Sequence, residues 1–215
     1  MKYKAVIFDM DGTILNTLED LKNATNYSLR QFGMPERSLE EVRMFVGNGI
    51  RKLVERAVPS GTSEEKIAQV FDVFLEYYEI HSADNTSPYP GILELVEKLK
   101  KSGIKTAVST NKADVPAQEL GREYFNGIFD LIVGQQDGLK VKPAPDSVNK
   151  ILSILDIQKK DAIYIGDSDV DVQTAKNSGL DFIGVSWGFR GREFLAKNGA
   201  KNIVDNANEI LDLVI

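Results

Sequence analysis

The chain of 215 residues has no cysteine and only one histidine. Without thiols there is no disulfide framework, no thiolate metal site and no cysteine nucleophile, and the composition fits a reducing compartment. His81 stands in a polar stretch and reads as a surface or packing residue rather than a catalyst. No apolar run is long enough to cross a bilayer, and the opening MKYKAVIFD is too short in its apolar part for a signal peptide. Positive charge is also lacking. Lys and Arg number 26 against 32 Asp and Glu, a net charge of -6, and the basic residues are scattered. That leaves no footprint for nucleic acid or an anionic membrane. A cytoplasmic protein is expected, a monomer or weak homodimer. A chain of this length buries on the order of 70% of its unfolded surface, enough for one large domain or a core with a smaller insert.

What is present begins with AVIFDMDGT, Ala5 to Thr13. Four apolar residues predict a strand buried on both faces, which runs straight into Asp9, Asp11 and Gly12. Two acids one residue apart repel unless a positive group lies beside them, and a divalent cation with oxygen ligands satisfies that need. Gly12 permits a sharp turn or a close backbone approach.

The pattern then becomes helical. Leu18, Leu21, Thr25, Leu29 and Phe32 share one stripe, and Ser38 with Glu41 has capping-box spacing before the turn Gly47–Gly49. Ile67, Val70, Phe71, Phe74, Leu75 and Tyr78 form a second stripe starting after Thr62 or Ser63. From Pro90 onward helices and apolar strands alternate: strands over 106–109, 130–133, 162–165, 182–185 and around 203, with helices between, one of them over 114–125. Such alternation signals a parallel sheet. The expected fold is α/β, a Rossmann-like parallel sheet core with helices on both faces, built from 1–16 and 84–215, with an all-helical insert over 17–83.

In an open parallel sheet, ligands bind beyond the carboxyl ends of the strands. Those ends carry Asp9 and Asp11, then Thr110 and Asn111, then a loop with Lys140 and Lys142, then Asp167 and Asp171. Carboxylates with a metal, a hydroxyl donor and a fixed ammonium suit phosphoryl transfer.

FDMDGT, AVSTN, KPAPD and GDSDVD, in this order and each at or just after a strand end, resemble the four motifs of the haloacid dehalogenase superfamily of phosphotransferases, in the branch with a helical cap after the first motif. The resemblance implies that Asp9 is the nucleophile and forms an aspartyl-phosphate, and that Asp11 protonates the leaving oxygen and later deprotonates water. It implies Mg2+ held by Asp9, Asp167 and the carbonyl of Asp11, with Asp171 orienting the metal's surroundings. Thr110 and the N–H groups of Met10 and Asp11 would meet the phosphoryl oxygens beside Gly12, and Lys142 would offset charge between Asp9 and phosphate. Pro143, Pro145 and Asp146 favour Lys142 over Lys140 for that part. Asn111 either touches phosphate or caps the next helix.

Other motifs fail. GVSWG follows a strand like a serine-hydrolase elbow, but that fold needs a later histidine and His81 precedes it. DSDVDVQTAKNS starts like a calcium loop, yet Val172 occupies the glycine position and Ser178 the bidentate-glutamate position. Asp11 points to ester hydrolysis rather than dehalogenation, and Leu21 stands where a family phosphomutase would carry histidine. The cap segment FVGNGIRKLVERA resembles that of phosphoglycolate phosphatases, with Gly49 in a closing loop and Arg51 or Lys52 able to meet a carboxylate. The implied function is a magnesium-dependent phosphatase acting on small phosphorylated metabolites. A sugar phosphomutase and a non-enzymatic aspartyl-phosphate signalling module are the alternatives.

Overall fold

The architecture is carried by one parallel sheet whose central strand is the apolar run at the start of the chain. A computed structural model describes residues 2–215, which divide into two compact units, 2–15 with 88–215, and Asn16–Ser87.

In the first unit, β1 (Ala5–Phe8) lies between β4 (Lys105–Ala113) and β6 (Ala162–Gly166), with β5 (Leu131–Gln135) beyond β4, and β7 (Asp181–Val185) and β8 (Asn202–Val204) beyond β6. All five pairings are parallel. The alternation of side chains across a strand explains why β1 has no polar position. Ala5 and Ile7 pack with Val148, Ile151 and Leu152 of α7 (Asp146–Leu155) and Ala175 of α8 (Asp169–Ser178). Phe8 points the other way, edge-on to Phe129, which in turn meets Phe125 of α6 (Asp114–Phe125). The α5 helix (Ile92–Lys101) buries Ile92, Leu95, Val96 and Leu99, and α9 (Gly191–Lys197) and α10 (Ala207–Val214) complete the unit. The expected α/β fold with a parallel core is therefore present.

One strand runs further than its sequence suggests. Residues 106–109 read as a strand ending in Thr110 and Asn111, but β4 continues to Ala113 through a register shift against β5 between Ser109 and Ala113. An irregularity of this kind re-aims side chains at a sheet rim. Thr110 and Lys112 are both buried there. Two further strands, β2 (Leu15–Asn16) and β3 (Ser87–Pro88), form a separate two-stranded sheet where linkers were expected. Two residues are too few to show a period.

The second unit is helical: α1 (Leu18–Gln31), α2 (Leu39–Phe45), α3 (Ile50–Ala57) and α4 (Glu64–His81). Ser38 and Glu41 form a reciprocal capping box at the start of α2, and the Ser63 hydroxyl caps α4 by accepting from Lys66 N–H. In α4 the buried set is Ile67, Val70, Phe74 and Tyr78; Phe71 is half-buried and Leu75 exposed. The buried stripe is narrower than expected because 67, 70, 74 and 78 alone follow the inward seam. Asp20 on α1 is buried, and its carboxylate accepts from the Asn85 N–H at 3.0 Å, the Asn85 amide at 2.8 Å and the Thr86 hydroxyl at 2.8 Å. Among the described residues no helix is long and apolar enough to cross a membrane.

Candidate active site

The carboxyl ends of β1, β4 and β6 lie side by side because β1 pairs with both neighbours. Asp9 follows β1, and its backbone N–H is tied to the Ile165 carbonyl at 2.8 Å. Asp167 follows β6. Gly12 adopts a φ of +87°, and a Cβ there would stand 2.6 Å from Asp167 Oδ2, so only glycine lets the loop after β1 pass the carboxylate. Gly166 serves likewise, since its Cβ would collide with Asp171 at 2.3 Å. Asp167 is fixed by the Thr13 hydroxyl at 3.1 Å and the Phe189 N–H at 2.7 Å.

Asp171 belongs to the first turn of α8. Ser168 caps that helix, and Asp171 Oδ2 accepts from the Ser168 N–H at 3.1 Å and from its hydroxyl at 2.6 Å. Its other oxygen faces Lys142. The Lys142 ammonium stands 2.7 Å from Asp9 Oδ1, 2.8 Å from Asp171 Oδ1 and 3.0 Å from the Tyr164 hydroxyl, with the lysine side chain 3% exposed. Tyr164 OH lies 3.2 Å from the Ser109 carbonyl, to which it can donate. Asn111 holds the Lys142 backbone from both sides: its Oδ1 accepts from Lys142 N–H at 2.7 Å and its amide donates to Lys142 O at 3.2 Å. Both ends of the Asn111 side chain are thereby used on a neighbouring loop, a placement its sequence context did not suggest.

Three carboxylates, those of Asp9, Asp167 and Asp171, bring atoms within 4.8 Å of one another. Against them stands one ammonium, so with all groups ionised the cluster carries two excess negative charges in a buried setting. The electrostatics register that excess. Burial, then Asp171, pushes Asp9 well above the carboxylate range even though Lys142 pulls the other way, and burial with Asp171 lifts Asp167 to about 7. Burial alone would lower Lys142, but Asp171 and Asp9 outweigh it and keep it an ammonium. A divalent ion would cancel the excess, and an all-oxygen donor set without His or Cys suits a hard cation. The residues fit a metal.

The other expected site residues are distributed as follows. Asp11 is half-buried, its Oδ1 3.2 Å from the Lys112 ammonium. The Thr110 hydroxyl is buried and accepts from Lys112 N–H at 3.1 Å. The Met10 side chain is buried, and the N–H groups of Met10 and Asp11 meet no backbone acceptor among the described residues. Lys140 is exposed. Gly49 and Arg51 belong to the helical unit, where Arg51 pairs with Glu55 at 3.2 Å and Glu64 at 2.8 Å and stacks on Phe71.

Five participants escaped the sequence reading. Tyr164 sits inside an apolar strand and looks like core; the Phe189 N–H is a backbone donor without a residue signature. Ser168 carried a usable signal, three residues before Asp171, as did Thr13, the hydroxyl closing FDMDGT. Lys112 was hidden because its stretch reads as loop.

A parallel α/β core with a buried acidic cluster around the Lys142 ammonium defines a class of hydrolase, and comparison with known proteins identifies the family. Residues 6–185 match the family model of haloacid dehalogenase-like hydrolases. The chain is 31% identical over 215 residues to phosphoglycolate phosphatase 1 of Pseudomonas aeruginosa, covering 97% of this chain and 78% of that protein. It is 27% identical over 216 residues to the pyrophosphatase PpaX of Bacillus cereus, covering 100% and 97%. A crystal structure from Lactobacillus delbrueckii subsp. bulgaricus, provisionally named a phosphoglycolate phosphatase, superposes with a TM-score of 0.96 at 38% identity, covering 100% of this chain and 99% of that one. The chain belongs to the haloacid dehalogenase-like hydrolase family.

Proposed function

We propose that the protein is a magnesium-dependent phosphatase of small phosphate monoesters, with 2-phosphoglycolate as its foremost substrate. The observation that carries this is the buried cluster of Asp9, Asp167 and Asp171 around Lys142, whose excess negative charge calls for a divalent ion, beside the Met10 and Asp11 N–H groups that meet no backbone acceptor among the described residues. Asp9 and Asp167 would hold the metal together with the Asp11 carbonyl, because both Asp171 oxygens are already engaged by Lys142 and Ser168. When bound, the ion supplies charge neutralisation at the phosphoryl group.

In this mechanism Asp9, which the Lys142 ammonium 2.7 Å away and the charge of a bound divalent ion would keep ionised against burial and Asp171, attacks phosphorus as a carboxylate, which needs no base. The ester P–O bond breaks as the Asp9 Oδ–P bond forms, and Asp11 gives its proton to the leaving oxygen. Asp11, now ionised, takes a proton from the water that cleaves the acyl phosphate. Lys142 holds Asp9 in line while offsetting charge. Thr110 and the N–H groups of Met10 and Asp11 receive the phosphoryl oxygens. The helical unit would act as a cap excluding water. Likeness to PpaX makes inorganic pyrophosphate the second substrate to examine.

The test is phosphate release from phosphoglycolate, sugar phosphates, nucleotides and pyrophosphate, with magnesium or with EDTA. Magnesium-dependent release is expected, highest with phosphoglycolate, and Asp9→Asn should lower it by about 1,000-fold or more. Normal turnover by that variant would remove Asp9 from the mechanism.

A further inference from the structure

A second buried lysine lies at the rim. Lys112, near the end of β4, has a side chain only 2% exposed, and its ammonium stands 3.2 Å from Asp11 Oδ1. An ammonium buried so completely is costly unless it is paired, which makes the contact with Asp11 a reason for its position. The contact is an ion pair rather than an aligned hydrogen bond, since Asp11 Oδ1 is buried and accepts none. Charge thus holds the carboxylate on one side without locking its rotation. The same residue orients Thr110, whose hydroxyl accepts from Lys112 N–H.

Resting on the reading of Asp11 as the acid and base, we propose that Lys112 is a positioning residue: its ammonium keeps the Asp11 side chain turned to the place where a leaving oxygen arrives. The step it serves is the first one: Asp9 Oδ bonds to phosphorus, the ester P–O bond breaks, and the departing oxygen takes the proton that Asp11, in its acid form, carries on Oδ2 while Oδ1 stays on the Lys112 ammonium. A poor leaving group, such as the alkoxide of an alkyl phosphate, depends on that proton. The 4-nitrophenolate of 4-nitrophenyl phosphate scarcely does.

Single-turnover release of the alcohol or phenol therefore separates a positioning part from a merely structural one. Lys112→Met should slow the first step with phosphoglycolate by roughly 30-fold, within the range acid catalysis supplies, and with 4-nitrophenyl phosphate by no more than about 3-fold. Lys112→Arg should recover most of the lost rate. Adding Lys112→Met to Asp11→Asn should cost little more than Asp11→Asn alone, because the two act through one group. Equal losses with both esters, or full additivity with Asp11→Asn, would reduce Lys112 to a structural residue and overturn the proposal. If Lys112→Met does not fold, Lys112→Gln replaces it with the same expectations. Should the wild-type protein release phosphate from no ester, or should Asp11→Asn show no preference between the two, it is the phosphatase reading that fails.

Discussion

The two units spend the same residue types in opposite ways. In the helical unit charged side chains meet in water: Arg30 with Glu36, each about half exposed, Arg43 with Glu40, Lys52 with Glu55, Arg51 with Glu55 and Glu64. At the rim of the sheet, Lys142, Asp9, Asp171 and Lys112 are 12% exposed or less at the side chain. Exposed pairs are worth about 0–1 kcal/mol, since water competes for each partner and ordering long side chains costs entropy. Buried charges lose their hydration and depend on one another. The difference teaches where the fold can be edited: the exposed ion pairs of the helical unit are interchangeable, though its buried Asp20 is not, whereas the charges of the rim stand or fall together.

Removing the central ammonium should break the comparison most visibly. Lys142→Met leaves Asp9 and Asp171 buried against each other with no counter-charge, and loss of one partner from a buried pair costs about 3–5 kcal/mol. Stability measured by urea unfolding should fall by that order, together with turnover. Because protonation relieves the repulsion, the deficit should shrink toward acid pH. A loss under about 1 kcal/mol at neutral pH would show that water reaches the cluster.

How much of this was legible depends on what made each feature. The core strands β1, β6 and β7 declared themselves because burial on both faces demands unbroken apolar runs. The α6 helix was read with both ends correct, Pro116 marking its first turn. The continuation of β4 through Thr110 and Lys112 was not legible, because hydrogen bonds and an ion pair replace apolar burial there. Spacing in sequence could bring Asp9, Lys142, Asp167 and Asp171 into one set through strand order, but could not reveal the Asn111 clamp on the Lys142 backbone, which pairs residues 31 positions apart.

A metal-dependent effect of intermediate size sharpens the contrast. Asp167, lifted to about 7 by burial and Asp171, holds its proton far above the ordinary aspartate value near 4. Its folded pKa exceeds the unfolded one, so the stability it contributes to the metal-free protein is fully present below pH 4 and is lost as pH rises through about 7. A cation requires the ionised form, so metal binding strengthens over the same interval. Unfolding free energies with magnesium and with EDTA should therefore separate progressively from pH 6 to pH 8, by an amount on the order of 2–3 kcal/mol at magnesium a hundredfold above its Kd. A gap that narrows with rising pH would contradict a carboxylate site. The helical unit supplies no such term.

The smallest effect belongs to Arg51. Its guanidinium is shared between Glu55 and Glu64 and lies 5.5 Å from the Phe71 ring centre, yet the side chain remains 38% exposed and Glu64 81%. Arg51→Ala should cost under about 1 kcal/mol of stability, since each contact forms in water. If the two glutamates already satisfy this arginine, KM for phosphoglycolate should change less than about 3-fold, a difference worth under 1 kcal/mol. A larger rise confined to carboxylate-bearing substrates, absent with 4-nitrophenyl phosphate, would mean that Arg51 leaves Glu64 for the substrate. In that case one surface charge of the helical unit, unlike its neighbours, is not interchangeable.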